Sequence, residues 1–105
     1  MEIIAKLESA SYYHRNQFVY CNVIVLEKRL IDLKNPNIQQ FENIIIGQPI
    51  NLKYNKSDTS EVLKYLPELV LYFKLTGVET KREKNNTSVK FLFEGCSKCA
   101  IFQGQ

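Results

Sequence analysis

Few residues in this chain can do covalent chemistry. His14 is the sole histidine, so a Cys–His or Ser–His–Asp relay has to be assembled around that one position. The glycines (Gly47, Gly77, Gly95 and Gly104) are scattered and form no phosphate-cradling loop. Glu79 and Glu83 flank a polar segment and read as solvated charges, not as an acid–base pair. Cys21, Cys96 and Cys99 are too few, and odd in number, for a secreted disulfide framework. Cys96-Ser97-Lys98-Cys99 has C-x-x-C spacing. A four-ligand zinc site would have to recruit Cys21 and His14 as well, and a thioredoxin-like pair belongs at a helix start behind an early strand. The expectation is reduced thiols, no metal, no cofactor and no enzymatic activity.

A second kind of chemistry is better represented: aromatic rings interleaved with cations. Tyr12, Tyr13, Arg15, Phe18 and Tyr20 cluster in one segment. Lys53 and Lys56 edge another, Tyr72 and Lys74 alternate in a third, and Lys81, Arg82 and Lys84 crowd a fourth. Single-stranded nucleic acid needs this mixture. Cations neutralise phosphates, and ring faces stack bases at ~1–3 kcal/mol each without reading sequence. Aromatics are also ordinary in strands, and outer lysines often serve only solubility. The candidate interface is therefore Tyr13, Arg15, Phe18, Tyr20, Lys53, Lys56, Tyr72, Lys74, Lys81, Arg82 and Lys84.

The elements that must position these residues are mostly strands. Over residues 2–9, Ile3, Ala5 and Leu7 alternate with Glu2, Lys6 and Glu8, the pattern of a half-buried strand. Residues 12–17 read as a hairpin loop. Residues 18–28 form a long strand with Val19, Cys21, Val23 and Val25 on one face. Phe18, Tyr20, Asn22, Ile24 and Leu26 take the other. Asn35-Pro36-Asn37 is a turn signal, and 38–46 is a short helix or an irregular crossing. A third strand covers 50–54, with Ile50, Leu52 and Tyr54 on one side. Asp58 and Glu61 make a capping box for a helix over 58–66, which Pro67 ends. A fourth strand spans 69–78, with Leu69, Leu71, Phe73 and Leu75 inward. Residues 81–86 are a polar hairpin tip, and the fifth strand is 87–93 with Val89, Phe91 and Phe93 inward. Residues 95–105 read as a tail with a short extra strand at 100–102.

The predicted fold class is thus mainly β: a five-stranded OB-like barrel with one short helix between strands 3 and 4. OB-folds bind oligonucleotides and oligosaccharides. A small β-grasp-like or split α+β domain is the alternative.

Composition frames this reading. A length of 105 residues suits one domain. The net charge of +3 and pI near 8.8 are a mild basic excess, which fits a polyanionic partner without requiring one. The N-terminus shows no secretory pattern. No apolar run approaches the ~20 residues that span a bilayer, so a cytoplasmic location is expected.

One stretch carries a resemblance. Phe18-Val19-Tyr20-Cys21-Asn22-Val23-Ile24-Val25-Leu26-Glu27 resembles the second strand of the small single-stranded DNA-binding proteins of filamentous bacteriophages (inoviruses). Gly47-Gln48-Pro49-Ile50-Asn51-Leu52 and residues 71–77 resemble that family's apolar-x-leucine strand and its closing strand-turn. The resemblance spans residues 1–94. It implies an OB-like barrel that dimerises, coats the phage genome in host cytoplasm and grips DNA through an aromatic- and lysine-bearing hairpin and barrel face. On matching positions this points to Tyr13, Arg15, Phe18 and Tyr20.

The expected function is sequence-tolerant coating of single-stranded DNA during replication by a homodimer of phage or mobile-element origin. A rival expectation is a small phage-encoded protein that inhibits or adapts a host protein. Phe18, Tyr20, Ile24 and Leu26 would then be its contact face.

Overall fold

The computed structural model describes residues 1–13, 18–30, 33–54 and 67–99. Their elements are β1 (Glu2–Tyr13), β2 (Phe18–Arg29), α1 (Ile38–Glu42), β3 (Pro49–Tyr54), β4 (Val70–Glu83) and β5 (Asn86–Lys98). The protein is mainly β.

The period-2 patterning produces the strands and assigns their faces. In β2, Val19, Cys21, Val23 and Val25 are buried, while Phe18, Tyr20, Ile24 and Leu26 are half-buried on the opposite side. Consecutive burial of Ile3, Ile4 and Ala5 breaks the alternation of β1 where its register against β2 shifts, between Ile4 and Ala5. Further shifts flank Leu75 in the β4–β5 pair. Such bulges bend and twist a strand, as a small sheet that curls on itself requires.

The five strands close in a ring in the order β1-β2-β3-β5-β4. All neighbouring pairs are antiparallel except β3 with β5, where Leu52, Lys53 and Tyr54 run parallel to Phe91, Leu92 and Phe93. Inside the ring, Phe93 stacks on Tyr54 (5.0 Å between centroids) and meets Phe73 edge-on at 5.3 Å.

The short helix α1 lies between β2 and β3. It has no side-chain N-cap and only 5 residues, too few to persist alone. Burial holds it: Phe41 is fully inside the core, 6.1 Å from Phe91. Lys28 supports the exit, its Nζ donating to the carbonyls of Glu42 (2.6 Å) and Ile44 (2.7 Å), groups that a helix end leaves without partners. Gly47 then turns the chain into β3 with φ +89, a conformation that side chains with a Cβ avoid.

Several sequence expectations change. Tyr12 and Tyr13 belong to β1 and not to a loop. Lys81, Arg82 and Glu83 continue β4, leaving Lys84-Asn85 as the turn. Residues 95–98, read as the start of a tail, are the last rungs of β5, where Cys96 pairs with Phe73. Val89 is exposed instead of inward. The expected helix at 58–66, between strands 3 and 4, and the extra strand at 100–102 lie outside the described residues. Among the described residues no helix is long and apolar enough to cross a membrane.

Candidate nucleic-acid interface

The outer side of the ring over β2 and β3 gathers the aromatic–cation pattern. Alternation turns Phe18 and Tyr20 of β2 outward, and the β1–β2 register sets Tyr13 opposite Phe18. Tyr20 lies opposite Lys53 across β3. Tyr13 and Tyr20 meet edge to face, 5.0 Å between centroids. Lys53 Nζ lies 4.1 Å from the Phe18 ring centre and 5.9 Å from that of Tyr20. Lys90 of β5 reaches the same tyrosine, 5.7 Å from its ring centre. Two cations thus flank one exposed-side tyrosine, within the range of cation–π attraction.

One carboxylate moderates this positive face. Glu79 of β4 accepts a 2.8 Å ion-paired hydrogen bond from Lys53, and Lys53 is itself buried to 8% exposure. Opposite residues of an antiparallel pair share a face. Glu79 lies opposite Lys90 and Lys81 opposite Ser88, which carries the positive side along the β4–β5 arm to Lys81. Lys90 Nζ also donates to Ser88 Oγ at 3.3 Å. Arg82, opposite Thr87, takes the reverse side of the arm, and Lys84 stands at the turn.

The structure does not bring Tyr72 and Lys74 to this face. Tyr72 packs beside Ile4 of β1 and Ser97 of β5, where the Arg29 guanidinium lies 5.8 Å from its ring centre. Arg29 and Tyr20 occupy opposite ends of β2, about 30 Å apart at ~3.3 Å per residue. A depression of about 470 Å³ lies here, lined by Glu2, Arg29, Tyr72 and Lys74 among others. Its charges are compensated. Lys74 Nζ is 2.8 Å from Glu94, and that hydrogen bond raises the Lys74 pKa. Arg29 pairs with Glu27 at 3.4 Å. Arg15 and Lys56 lie outside the described residues.

The predicted residues therefore divide. Tyr13, Phe18, Tyr20 and Lys53 form one patch with Lys81 along its flank; Tyr72 and Lys74 form another; Arg82 and Lys84 belong to neither. Sequence reading missed Lys90, Asn22 and Asn51. Lys90 was legible as the outward partner of the alternation Val89, Phe91, Phe93. Asn22 and Asn51 face each other across β2 and β3. With Tyr13, Tyr20 and Lys90 they line an open cleft of about 380 Å³.

The thiols lie elsewhere. Cys21, Cys96 and Cys99 are buried and form no disulfide among the described residues. Burial, and then the neighbouring Cys96, push the Cys21 pKa up to about 12. Among the described residues no group of three or more His, Cys, Asp or Glu side chains gathers as a metal site.

No protein-family model matches the chain, and no curated protein aligns with it significantly.

Proposed function

We propose that this protein binds single-stranded DNA in a sequence-tolerant way, through the outer face of β2 and β3. The observation that carries the reading is the Tyr13–Tyr20–Phe18 cluster with Lys53 and Lys90 set against its rings. Bases stack on such rings while the ammonium groups meet phosphates. The ring order β1-β2-β3-β5-β4 supports an OB-like barrel, and in that architecture oligonucleotides lie across strands 2 and 3 and the loops beside them. The ends of β1 and β2 at Tyr13 and Phe18, and Lys90 of the β4–β5 arm, stand at the aromatic cluster. Coating of phage or mobile-element DNA by a homodimer is the biological form we infer for this activity.

The test is a fluorescence titration with a labelled oligo-dT at low and at moderate salt. Counterion release makes log K fall with log salt at a slope of about −0.7 per phosphate neutralised on single strands. Affinity that collapses with added salt supports the reading. Absence of binding at low salt ends it.

A second reading has its own observation. Ile45, Ile46 and Val89 are 63%, 55% and 39% exposed, and Ile45 and Val89 border an apolar groove with Ile44, Ile50 and Phe91. Apolar surface of this kind often marks a protein contact, so inhibition or adaptation of a host protein would use this groove. The Phe18, Tyr20, Ile24 and Leu26 face is half-buried and suits that role less. A protein-binding role would survive Tyr13→Ala and Tyr20→Ala and fail with Ile45→Asp.

A further inference from the structure

The cleft beside the tyrosines contains more than a stacking platform requires. Stacking is indifferent to base identity, since every base has a π-face. Yet two amides, Asn22 and Asn51, sit directly opposite each other on β2 and β3, and both are exposed. Opposite residues in an antiparallel pair hold their Cβ atoms about 5 Å apart, so the two amides address one small volume. That volume is the cleft, bounded by Tyr13, Tyr20 and Lys90.

Their hydrogen bonding is unequal. Asn22 is oriented by Ser9, its Nδ2 donating to Ser9 Oγ at 3.1 Å, which leaves Oδ1 as an acceptor and the second N–H as a donor. The Asn51 side chain makes no hydrogen bond among the described residues and offers both donors and an acceptor. The pair presents two amide oxygens as acceptors, with the remaining amide N–H groups as donors, next to a stacking ring and an ammonium.

We infer that this cleft is a nucleobase seat that selects a base bearing an exocyclic amine beside a ring-nitrogen acceptor. The amine of cytosine (N4) or adenine (N6) gives its protons to the Asn oxygens, and the adjacent ring nitrogen accepts from Asn51 Nδ2. Asparagine pairs with adenine through the same donor–acceptor match in duplex grooves. Thymine lacks the amine; its single N3–H satisfies one amide oxygen while a neighbouring carbonyl accepts from Asn51 Nδ2, so the second amide oxygen gains no proton where an exocyclic amine would supply one. Lys90 Nζ stands within reach of the phosphate of a base stacked on Tyr20. This inference rests on the proposed single-strand binding and adds a preference at one position of an otherwise tolerant face.

The experiment compares labelled oligo-dC, oligo-dA and oligo-dT of equal length in the same titration. Oligo-dC and oligo-dA should each bind roughly tenfold tighter than oligo-dT, within the discrimination of a good bidentate contact. Asn51→Leu should reduce that ratio to near one, with circular dichroism confirming the fold. Oligo-dT binding as tightly as oligo-dC overturns the base seat alone. A preference that survives both Asn51→Leu and Asn22→Leu overturns it too. Absence of binding to all three removes the base seat together with the proposed function.

Discussion

Lys53 Nζ sits between the Phe18 ring, 4.1 Å from its centre, and the Glu79 carboxylate, 2.8 Å away. The ammonium is shared between an aromatic face and an acid on a strand 26 positions later. This arrangement sets the electrostatics of the candidate interface, because Glu79 offsets the cation that a phosphate would otherwise meet in full.

Removing either partner should therefore act in opposite directions. Lys53→Met keeps the aliphatic stem over Phe18 but leaves Glu79 alone beside the nucleic-acid path. Affinity for single strands should fall, and the salt dependence should flatten by about 0.7 in slope. Glu79→Gln releases Lys53 and should raise affinity and steepen the slope. Titrations across a salt series read both, and identical slopes for the two variants would show that the pair lies off the binding path.

The two aromatic patches should separate in function. Tyr20→Ala deletes a stacking surface valued at ~1–3 kcal/mol, a loss of about 5- to 150-fold in single-strand affinity. Tyr72→Ala, in the separate patch beside Arg29, should leave that affinity within error. Equal losses would mean the strand wraps farther round the ring than the β2–β3 face.

Phe41 anchors the β2–β3 connection. Phe41→Ala removes a fully buried ring and should cost ~3–5 kcal/mol, the usual range for emptying a large core site. Urea unfolding measures it. A cost below about 1 kcal/mol would show that the ring's end closes without α1.

The Cys21 thiol, held protonated by burial with a pKa pushed up to about 12, makes stability pH-dependent on the alkaline side. An open-chain thiol ionises near ~8.5. Because the folded pKa is the higher one, the thiol's contribution is complete below about 8.5 and is lost as pH rises from there toward 12. Urea midpoints measured over that range should decline, and Cys21→Ala should decline less steeply. Thiol reagents should modify native Cys21 slowly at neutral pH and quickly once urea unfolds the chain.

Much of the strand content was legible because alternation is a local property. Val19, Cys21, Val23 and Val25 announced the inner face of β2 through their spacing, and Phe73 and Leu75 did so for β4. Strand ends were less legible. Polar residues such as Lys81 and Arg82 look like loop when taken singly, yet β4 carries them outward because β5 supplies cross-strand partners, Ser88 and Thr87. Cys96 looked like tail for the same reason: its place in the core depends on Phe73, far away in sequence. The aromatic patch was half legible. Tyr13, Phe18 and Tyr20 are close in the chain, whereas alternation puts Tyr72 on an outer face without saying which, and its strand lies beside β1 and the end of β5.

What the sequence determined by itself was which side of β2 and of β4 faces inward, since a period of two makes burial there a matter of spacing. Which strands become neighbours was decided only by tertiary structure. The parallel contact of β3 with β5 brings Lys53 beside Leu92 and near Lys90, and the β1–β4 contact closes the ring and draws Tyr72 away. Such pairings join segments far apart along the chain. Closing a loop costs entropy that no local pattern records, so they follow from how the whole set of apolar faces finds a common interior.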